Sequence, residues 1–242
     1  MIRWMVSSGC QRSGRGQVSP DRALRAWLAF GAAATLVGLW VLAGITDDVV
    51  AQEELSSSDP TVASWLADHR THWLTRSMQA VTWLGSGWVT VPVLVLAALL
   101  LPVWRDRRRT LALVLTVSMG SAVLVTIGKL LTVRPRPVVG EVLTTATGYA
   151  FPSGHSAQAA AAYGVLALLI SLRVPRAAKP LVWLAATALV LLIGFSRLYL
   201  GVHWLTDVLA GYALGACWLA VVVAAAVVHD RLRPDSRPRV NV

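Results

Sequence analysis

A chain of 242 residues with 56% hydrophobic and only 14% charged residues differs from a soluble domain, in which roughly a quarter of the residues are charged. The net charge of +10 would suit nucleic acid or anionic lipid, but the basic residues form short clusters between long apolar runs, which argues against nucleic acid. Composition therefore excludes an ordinary soluble enzyme and indicates a single membrane domain.

Six apolar segments come close to the length of about 20 residues that a transmembrane helix needs. In chain order they occupy 26–45, 87–104, 110–131, 154–172, 181–200 and 204–228. The sequence therefore predicts an all-α integral membrane protein, with a six-helix transmembrane bundle at 26–229. Basic tails at 1–25 and 230–242 would flank this domain.

Arginine and lysine are concentrated in alternate connections between these segments. They enrich both tails and the loops at 105–109 and 173–179, whereas the long first loop, at about 46–86, is acidic. Cytoplasmic loops carry the excess of basic residues in membrane proteins. We therefore expect both termini in the cytoplasm and the first loop outside it.

The second half of the first loop has helical periodicity. The apolar and aromatic residues that fall near one face are Val62, Trp65, Leu66, His69, Trp73 and Leu74. This pattern predicts an extracytoplasmic amphipathic helix between spans one and two, lying on the membrane surface. A helix that packs over the bundle is an equally good interpretation.

Ionisable residues gather at the ends of spans three to six. The alternating direction of the spans brings all of these ends to the outer side. The residues are Lys129, Arg134, Arg136, His155, Arg197, His203 and Asp207. Any one of the basic residues could instead simply reach toward lipid phosphates. That alternative does not explain the two histidines at helix starts. We expect a functional site here.

These residue types suit phosphoryl transfer, which needs fixed cations and backbone N–H donors around a phosphate. Pro152, Ser153 and Gly154 predict a helix start, with proline in the first turn and serine as the cap, whose free N–H groups favour an anion. His203 and Asp207 are four residues apart and share a helix face. The carboxylate would fix the imidazole tautomer and leave the other ring nitrogen free to attack.

Three motifs together resemble the signature of the type 2 phosphatidic acid phosphatase superfamily. They are Lys129 followed after six residues by Arg136-Pro137, then Pro152-Ser153-Gly154-His155, and finally Ser196-Arg197 followed by His203 and Asp207, all within 129–207. Arg134 falls outside this pattern, and we interpret it as a contact with solvent or lipid headgroups.

The resemblance implies a role for each matching residue. Phosphate would be held by Lys129, Arg136 and Arg197, with hydrogen bonds from Ser153 and Gly154. His203 would be the nucleophile that forms a phosphohistidine, Asp207 would orient it, and His155 would protonate the leaving group. The family mechanism needs neither a metal nor another cofactor.

The expected protein is a multi-pass enzyme of a bacterial plasma membrane, whose extracytoplasmic active site hydrolyses a phosphate monoester or pyrophosphate on a lipid. Its partners would be the bilayer and a lipid phosphate, with no nucleic acid. Candidate substrates are phosphatidic acid, phosphatidylglycerol phosphate and polyprenyl pyrophosphate, the last suiting a cell-envelope role best. The alternatives are a lipid phosphotransferase with the same intermediate and an anion transporter, which would favour charges near the midplane.

Overall fold

The computed structural model describes residues 20–101 and 107–232, and the regular secondary structure within these ranges is entirely helical. A short 3₁₀ turn at Arg176–Ala178 precedes the eighth of its α-helices. The α-helices are α1 (Pro20–Ala51), α2 (Glu54–Ser57), α3 (Asp59–Asp68), α4 (His72–Trp83), α5 (Gly87–Leu100), α6 (Arg107–Thr132), α7 (Gly154–Ser171), α8 (Lys179–Tyr199) and α9 (Leu205–Leu232).

Four helical segments in the described part of the chain are long and apolar enough to cross a membrane: Gly31–Ala51, Arg107–Thr132, Arg176–Tyr199 and Leu205–Asp230. Helices α4 and α5 meet at a 51° bend and make a fifth if the pair is one span. The predicted helical membrane bundle is confirmed. The count of six spans stays a prediction, because α7 is not among these segments.

Helix α7 lies in the middle of the bundle and packs against α5, α6, α8 and α9. Its side chains are mostly small, and many are buried, including Ala157, Ala159 and Val165. A helix surrounded by other helices needs close packing more than a lipid-facing apolar surface. This is consistent with α7 being shorter than α6, α8 and α9 although many of its residues are buried.

The helix boundaries extend the predicted spans at the tails. Helix α1 begins at Pro20, so the end of the predicted 1–25 tail is helical, and α9 continues to Leu232. The rest of both tails, 1–19 and 233–242, and the loop at 102–106 lie outside the described residues. The proposed division at 25, 229 and 230 therefore stays a prediction.

The first loop differs from the single helix expected there. Two helices, α3 and α4, are separated by a break at 69–71, and Leu66 is buried while Trp65 and Trp73 are exposed. The break arises because this segment binds the end of α8: Arg70 Nε donates to Tyr199 O at 3.1 Å, and the Thr71 amide donates to the Tyr199 hydroxyl at 2.9 Å.

Helices α3 and α4 therefore lie across one end of the bundle, in contact with α8 and, through α3, with α9. This agrees with the interpretation as helices packed over the bundle. Gly201 makes room for the contact, since its φ of +73° suits glycine and a Cβ there would lie 2.7 Å from Arg70 Nη2. The side of the membrane on which these helices lie stays a prediction.

Candidate active site

Four helix ends meet beneath α3 and α4. Helix α6 ends and α7 begins here, and α8 ends where a short turn leads into α9. Two backbone hydrogen bonds tie the connecting loops together: the Ser153 amide donates to Asp207 O and the Ala150 amide to Arg134 O, each at 2.9 Å. The three sequence motifs are therefore brought to one end of the bundle.

A glycine on α9 allows this close approach. A Cβ at Gly211 would lie 2.6 Å from Ser153 O and 2.8 Å from the Ser156 Cβ. Only a residue without a side chain lets the backbone of α9 lie this near the start of α7. This contact therefore holds α9 against the start of α7.

His203 and Asp207 form the hydrogen-bonded pair that their spacing predicts. His203 Nδ1 lies 3.2 Å from Asp207 Oδ2, and both side chains are buried. Arg136 Nη1 lies 3.3 Å from the other ring nitrogen, Nε2. Because a guanidinium can only donate, Nε2 accepts, so the proton is on Nδ1 and is donated to Asp207. This tautomer leaves a lone pair on Nε2.

The pKa of His203 is lowered to about 4, mainly by burial and also by the cations Arg197 and Arg136, while Asp207 acts in the opposite direction. The pKa of an ordinary histidine is 6.5. Desolvation disfavours the charged imidazolium in this enclosed position. His203 is therefore an uncharged imidazole at neutral pH, with no proton on Nε2.

Arg136 also holds the backbone around the site, a role that the sequence did not predict. Its guanidinium donates to the carbonyl oxygens of Thr147, Gly148, Tyr149 and Val202, at 2.6 to 3.3 Å. These bonds fasten the loop between α6 and α7 to the turn before α9. The side chain stays next to His203 Nε2 at the same time, so it can meet an anion bound there.

Arg197 is held from outside the three motifs. Its side chain is only 3% exposed, and Nη1 donates to Thr82 Oγ1 on α4 at 2.6 Å. Its Nε is buried and has no hydrogen-bond partner among the described residues. An unsatisfied buried donor costs about 1–3 kcal/mol, and a phosphate oxygen is a suitable acceptor for it.

The remaining predicted residues belong to the same group of interacting charges. Lys129 interacts electrostatically with Arg136, Arg197 and Asp207 from the end of α6. His155 interacts in the same way with His203 from the first turn of α7. The structure thus brings together every residue that the motifs predict to act in one site.

The start of α7 differs in detail from the predicted cap. Ser153 is the N-cap residue, but its hydroxyl makes no capping bond and instead accepts a hydrogen bond from Ser156 Oγ at 3.0 Å. Pro152 precedes the cap rather than lying in the first turn. The first amide groups of α7 still have no acceptors within the helix, as at any helix start, and they favour a bound anion.

The interpretation of Arg134 as a solvent or headgroup contact is wrong. Its guanidinium donates to Asp207 Oδ1 and to Asp59 Oδ2, both at 2.7 Å, and the side chain is 14% exposed. The Arg134 Cζ also lies 5.7 Å from the centre of the Trp204 ring. An arginine that contacts two buried carboxylates belongs to the site.

Sequence reasoning also missed Asp59, Thr82 and Thr206. Asp59 and Thr82 lie in the region between the first two predicted spans, far from the motifs in sequence, and neither belongs to a recognisable pattern. Asp59 accepts from Thr206 Oγ1 at 2.5 Å and from the Thr206 amide at 3.1 Å. The only signal was the charge of Arg134, a basic residue near Lys129 that the three motifs leave without a role.

The arrangement suits attack on a phosphorus atom. The unprotonated imidazole nitrogen of His203 lies beside Arg136, and Lys129, Arg197 and the start of α7 are near it. Such a site stabilises the negative charge of a phosphoryl group in transfer. Among the described residues, no group of three or more His, Cys, Asp or Glu side chains is placed to hold a metal ion.

Comparison with known proteins agrees with this chemistry. A profile of the PAP2 superfamily matches residues 110–231. Phosphatidylglycerophosphatase B of Bacillus subtilis is 32% identical over 163 residues, which cover 66% of this chain and 79% of that protein. Undecaprenyl-diphosphatase of Sulfolobus acidocaldarius is 34% identical over 74 residues, covering 31% of this chain and 32% of its own length.

Two solved structures share the fold. The crystal structure of a transmembrane PAP2 type phosphatidylglycerolphosphate phosphatase from Bacillus subtilis superimposes with a TM-score of 0.71, at 29% identity, over 84% of this chain and 98% of that one. LpxE from Aquifex aeolicus gives a TM-score of 0.52 at 25% identity, over 67% of this chain and 93% of that one. The chain therefore belongs to the PAP2 superfamily and is an integral membrane lipid phosphatase.

Proposed function

We propose that the protein hydrolyses the terminal phosphate of a lipid phosphate through a phosphohistidine on His203. His203 Nε2 would attack phosphorus, forming an N–P bond as the bond from phosphorus to the lipid oxygen breaks. His155 would give its proton to that oxygen. Water would then attack the phosphohistidine, His155 would take the proton from this water, and phosphate would leave. The supporting observation is the His203–Asp207 pair with Nε2 left as an acceptor.

Lys129, Arg136 and Arg197 would hold the phosphate oxygens, with Ser153, Gly154 and the first amides of α7. The buried and unpartnered Nε of Arg197 supports this assignment, because a guanidinium presents a planar edge that matches two phosphate oxygens. Arg136 lies 3.3 Å from Nε2, so it would contact the transferred phosphoryl group in both steps. The cations would stabilise charge on its equatorial oxygens.

Phosphatidylglycerol phosphate is the substrate that we propose first. Similarity to the Bacillus phosphatase extends over 79% of that protein in sequence and 98% of the solved chain in structure. Undecaprenyl pyrophosphate is the second candidate, supported by the shorter match to the Sulfolobus diphosphatase. The site residues contact only the phosphate, so the lipid has to be identified by assay.

The decisive experiment for the nucleophile uses purified protein in detergent with phosphatidylglycerol phosphate, phosphatidic acid and undecaprenyl pyrophosphate. We expect phosphate release from the first, and a loss of at least about 10³-fold in His203→Ala. Denaturation in alkali, where phosphohistidine survives, should trap ³²P on the wild-type protein. His72→Ala, which removes an exposed histidine of α4, is the matched control and should keep full activity.

Labelled protein or full turnover in His203→Ala would rule out His203 as the nucleophile. The same assay separates a hydrolase from a transferase: glycerol or another alcohol is added, and phosphate on the alcohol is compared with free phosphate. A hydrolase releases free phosphate even when the alcohol is in excess. An alcohol that captures nearly all of the phosphate would instead support the transferase.

We also propose that both termini are cytoplasmic and that the site opens on the opposite side. The basic loops and tails support this orientation. Two exposed positions on opposite sides provide a matched pair: Val138, in the loop after α6, and Ala177, before α8. With both natural cysteines replaced by serine, an impermeant maleimide should label Val138→Cys in intact cells but not Ala177→Cys. The reverse pattern would invert the orientation.

A further inference from the structure

Arg134 connects two buried carboxylates at the edge of the site. Its Nη1 donates to Asp207 Oδ1 and its Nη2 donates to Asp59 Oδ2, each at 2.7 Å. Asp59 is 1% exposed and Asp207 is fully buried. One guanidinium thus forms an ion pair with both carboxylates, one through each end of its planar fork.

The two oxygens of Asp207 have different partners. Oδ1 accepts from Arg134, whereas Oδ2 accepts from His203 Nδ1 at 3.2 Å and from the Trp204 amide at 2.8 Å. A carboxylate that is held at both oxygens cannot rotate about its own axis. The contact at Oδ1 therefore keeps Oδ2 directed at the imidazole.

Arg134 is itself fixed by a second set of contacts. Asp59 accepts from Arg134, from Thr206 Oγ1 and from the Thr206 amide, and Thr206 Oγ1 accepts from Arg134 Nη1 at 2.6 Å. The face of Trp204 covers the guanidinium. Asp59 lies outside residues 110–231, the part that the superfamily profile covers, so a segment beyond the motifs completes this network.

We propose that Arg134 is a positioning residue for phosphoryl transfer: with Asp59 as its anchor, it holds the Asp207 carboxylate in the orientation that His203 needs. Arg134 makes no contact with Nε2, the atom that would attack phosphorus. Its effect would reach the reaction through Asp207 alone. This inference rests on the proposed function, in which His203 is the nucleophile.

Removing the charge of Arg134 has a defined electrostatic consequence. His203 faces Asp207 on α9, Arg197 on α8, His155 on α7 and Arg136 in the loop, while Lys129 on α6 acts on Asp207. Without Arg134, the full negative charge of Asp207 acts on the imidazole, and one nearby cation is lost. Both changes raise the pKa of His203 from its low value. The acid limb of the pH–rate profile should therefore move to higher pH.

The test uses Arg134→Gln and the double variant Asp59→Asn/Arg134→Gln in the full-length protein. The single variant leaves the Asp59 carboxylate buried without its cation and is expected to lose stability. The double variant removes both charges and should regain the thermal transition of the wild type in detergent. We expect it still to show kcat lowered about 10- to 100-fold, less than the ~10⁴-fold loss seen when an orienting aspartate is removed.

Three readouts separate positioning from a structural role. KM should stay within about twofold of the wild type, since Arg134 is not among the residues proposed to bind phosphate. The acid limb of kcat/KM should lie at higher pH. Arg134→Lys, which keeps the charge but loses the planar fork, should recover part of kcat. Arg76→Gln removes an exposed arginine of α4 and controls for the loss of charge.

The outcomes distinguish this inference from the proposed function. If a folded double variant has the kcat and acid limb of the wild type, Arg134 does not position Asp207 and the inference is wrong. If the double variant does not fold, Arg134→Lys decides: wild-type kcat with an unmoved acid limb overturns the inference, and a lower kcat at unchanged KM supports it. If His203→Ala is fully active, the proposed function itself fails.

Discussion

The low pKa of His203 predicts that activity persists in acid where an ordinary histidine would already be protonated. Burial lowers this pKa to about 4 from the usual 6.5. At pH 5.5 an imidazole with the lower value is about 97% unprotonated, against about 9% for the ordinary value. The nucleophile requires the unprotonated form, so kcat/KM at pH 5.5 should be about tenfold higher than an unshifted histidine would allow.

The measurement is kcat/KM for the detergent-solubilised enzyme from pH 3.5 to 8, because this ratio reports groups in the free enzyme and free substrate. The second ionisation of the lipid phosphate falls in the same range and is determined separately by ³¹P NMR, so that its contribution can be removed. An enzyme limb near pH 4 is expected. An enzyme limb at about 6.5 would refute the reasoning, since His203 would then be neither desolvated nor surrounded by cations as the structure has it.

Three other predictions concern Thr82, Gly211 and the need for a metal. Thr82→Val removes the acceptor of Arg197 at nearly constant volume and should lower the free energy of unfolding by about 1.5–3 kcal/mol. The variant should also be inhibited more weakly by inorganic phosphate. An unchanged inhibition constant would contradict a role of Thr82 in holding Arg197 for phosphate binding. Gly211→Ala should cost about 1–3 kcal/mol by steric overlap with Ser153, whereas Gly44→Ala, which meets no atom within 4 Å, should be neutral or stabilising. Phosphate release should survive EDTA, and its loss would contradict metal-free transfer.

The part of the site that could be predicted from sequence is the part that depends on helix periodicity and topology. His203 and Asp207 meet because they are one helical turn apart, and the ends of alternate spans must lie on the same side of a bundle. Lys129, His155 and Arg197 follow from the same topology. None of these expectations needs knowledge of how the loops are folded.

The partners of those residues could not be predicted, because they come from long-range packing. Asp59 and Thr82 reach the site only because α3 and α4 fold across the end of the bundle, and nothing in the local pattern sets that path. The helical periodicity from Val62 to Leu74 continues through the break at 69–71. The break depends on Tyr199, which is distant in sequence, so a periodicity argument cannot detect it.

The placement of Arg134 explains how a carboxylate can lie in a site that must attract a dianion. Asp207 would otherwise neutralise the nearest of the cations Lys129, Arg136 and Arg197, and within the described residues none of these three forms an ion pair with a carboxylate. Arg134 forms ion pairs with Oδ1 of Asp207 and with Asp59, so both carboxylates have a cationic partner other than these three residues. The three remaining cations keep their charge for a phosphate group that carries about −1.5 to −2 at neutral pH. Arg134→Gln would leave the negative charge of Asp207 without this partner, and it should therefore weaken electrostatic stabilisation of the transferred phosphoryl group as well as misalign the nucleophile.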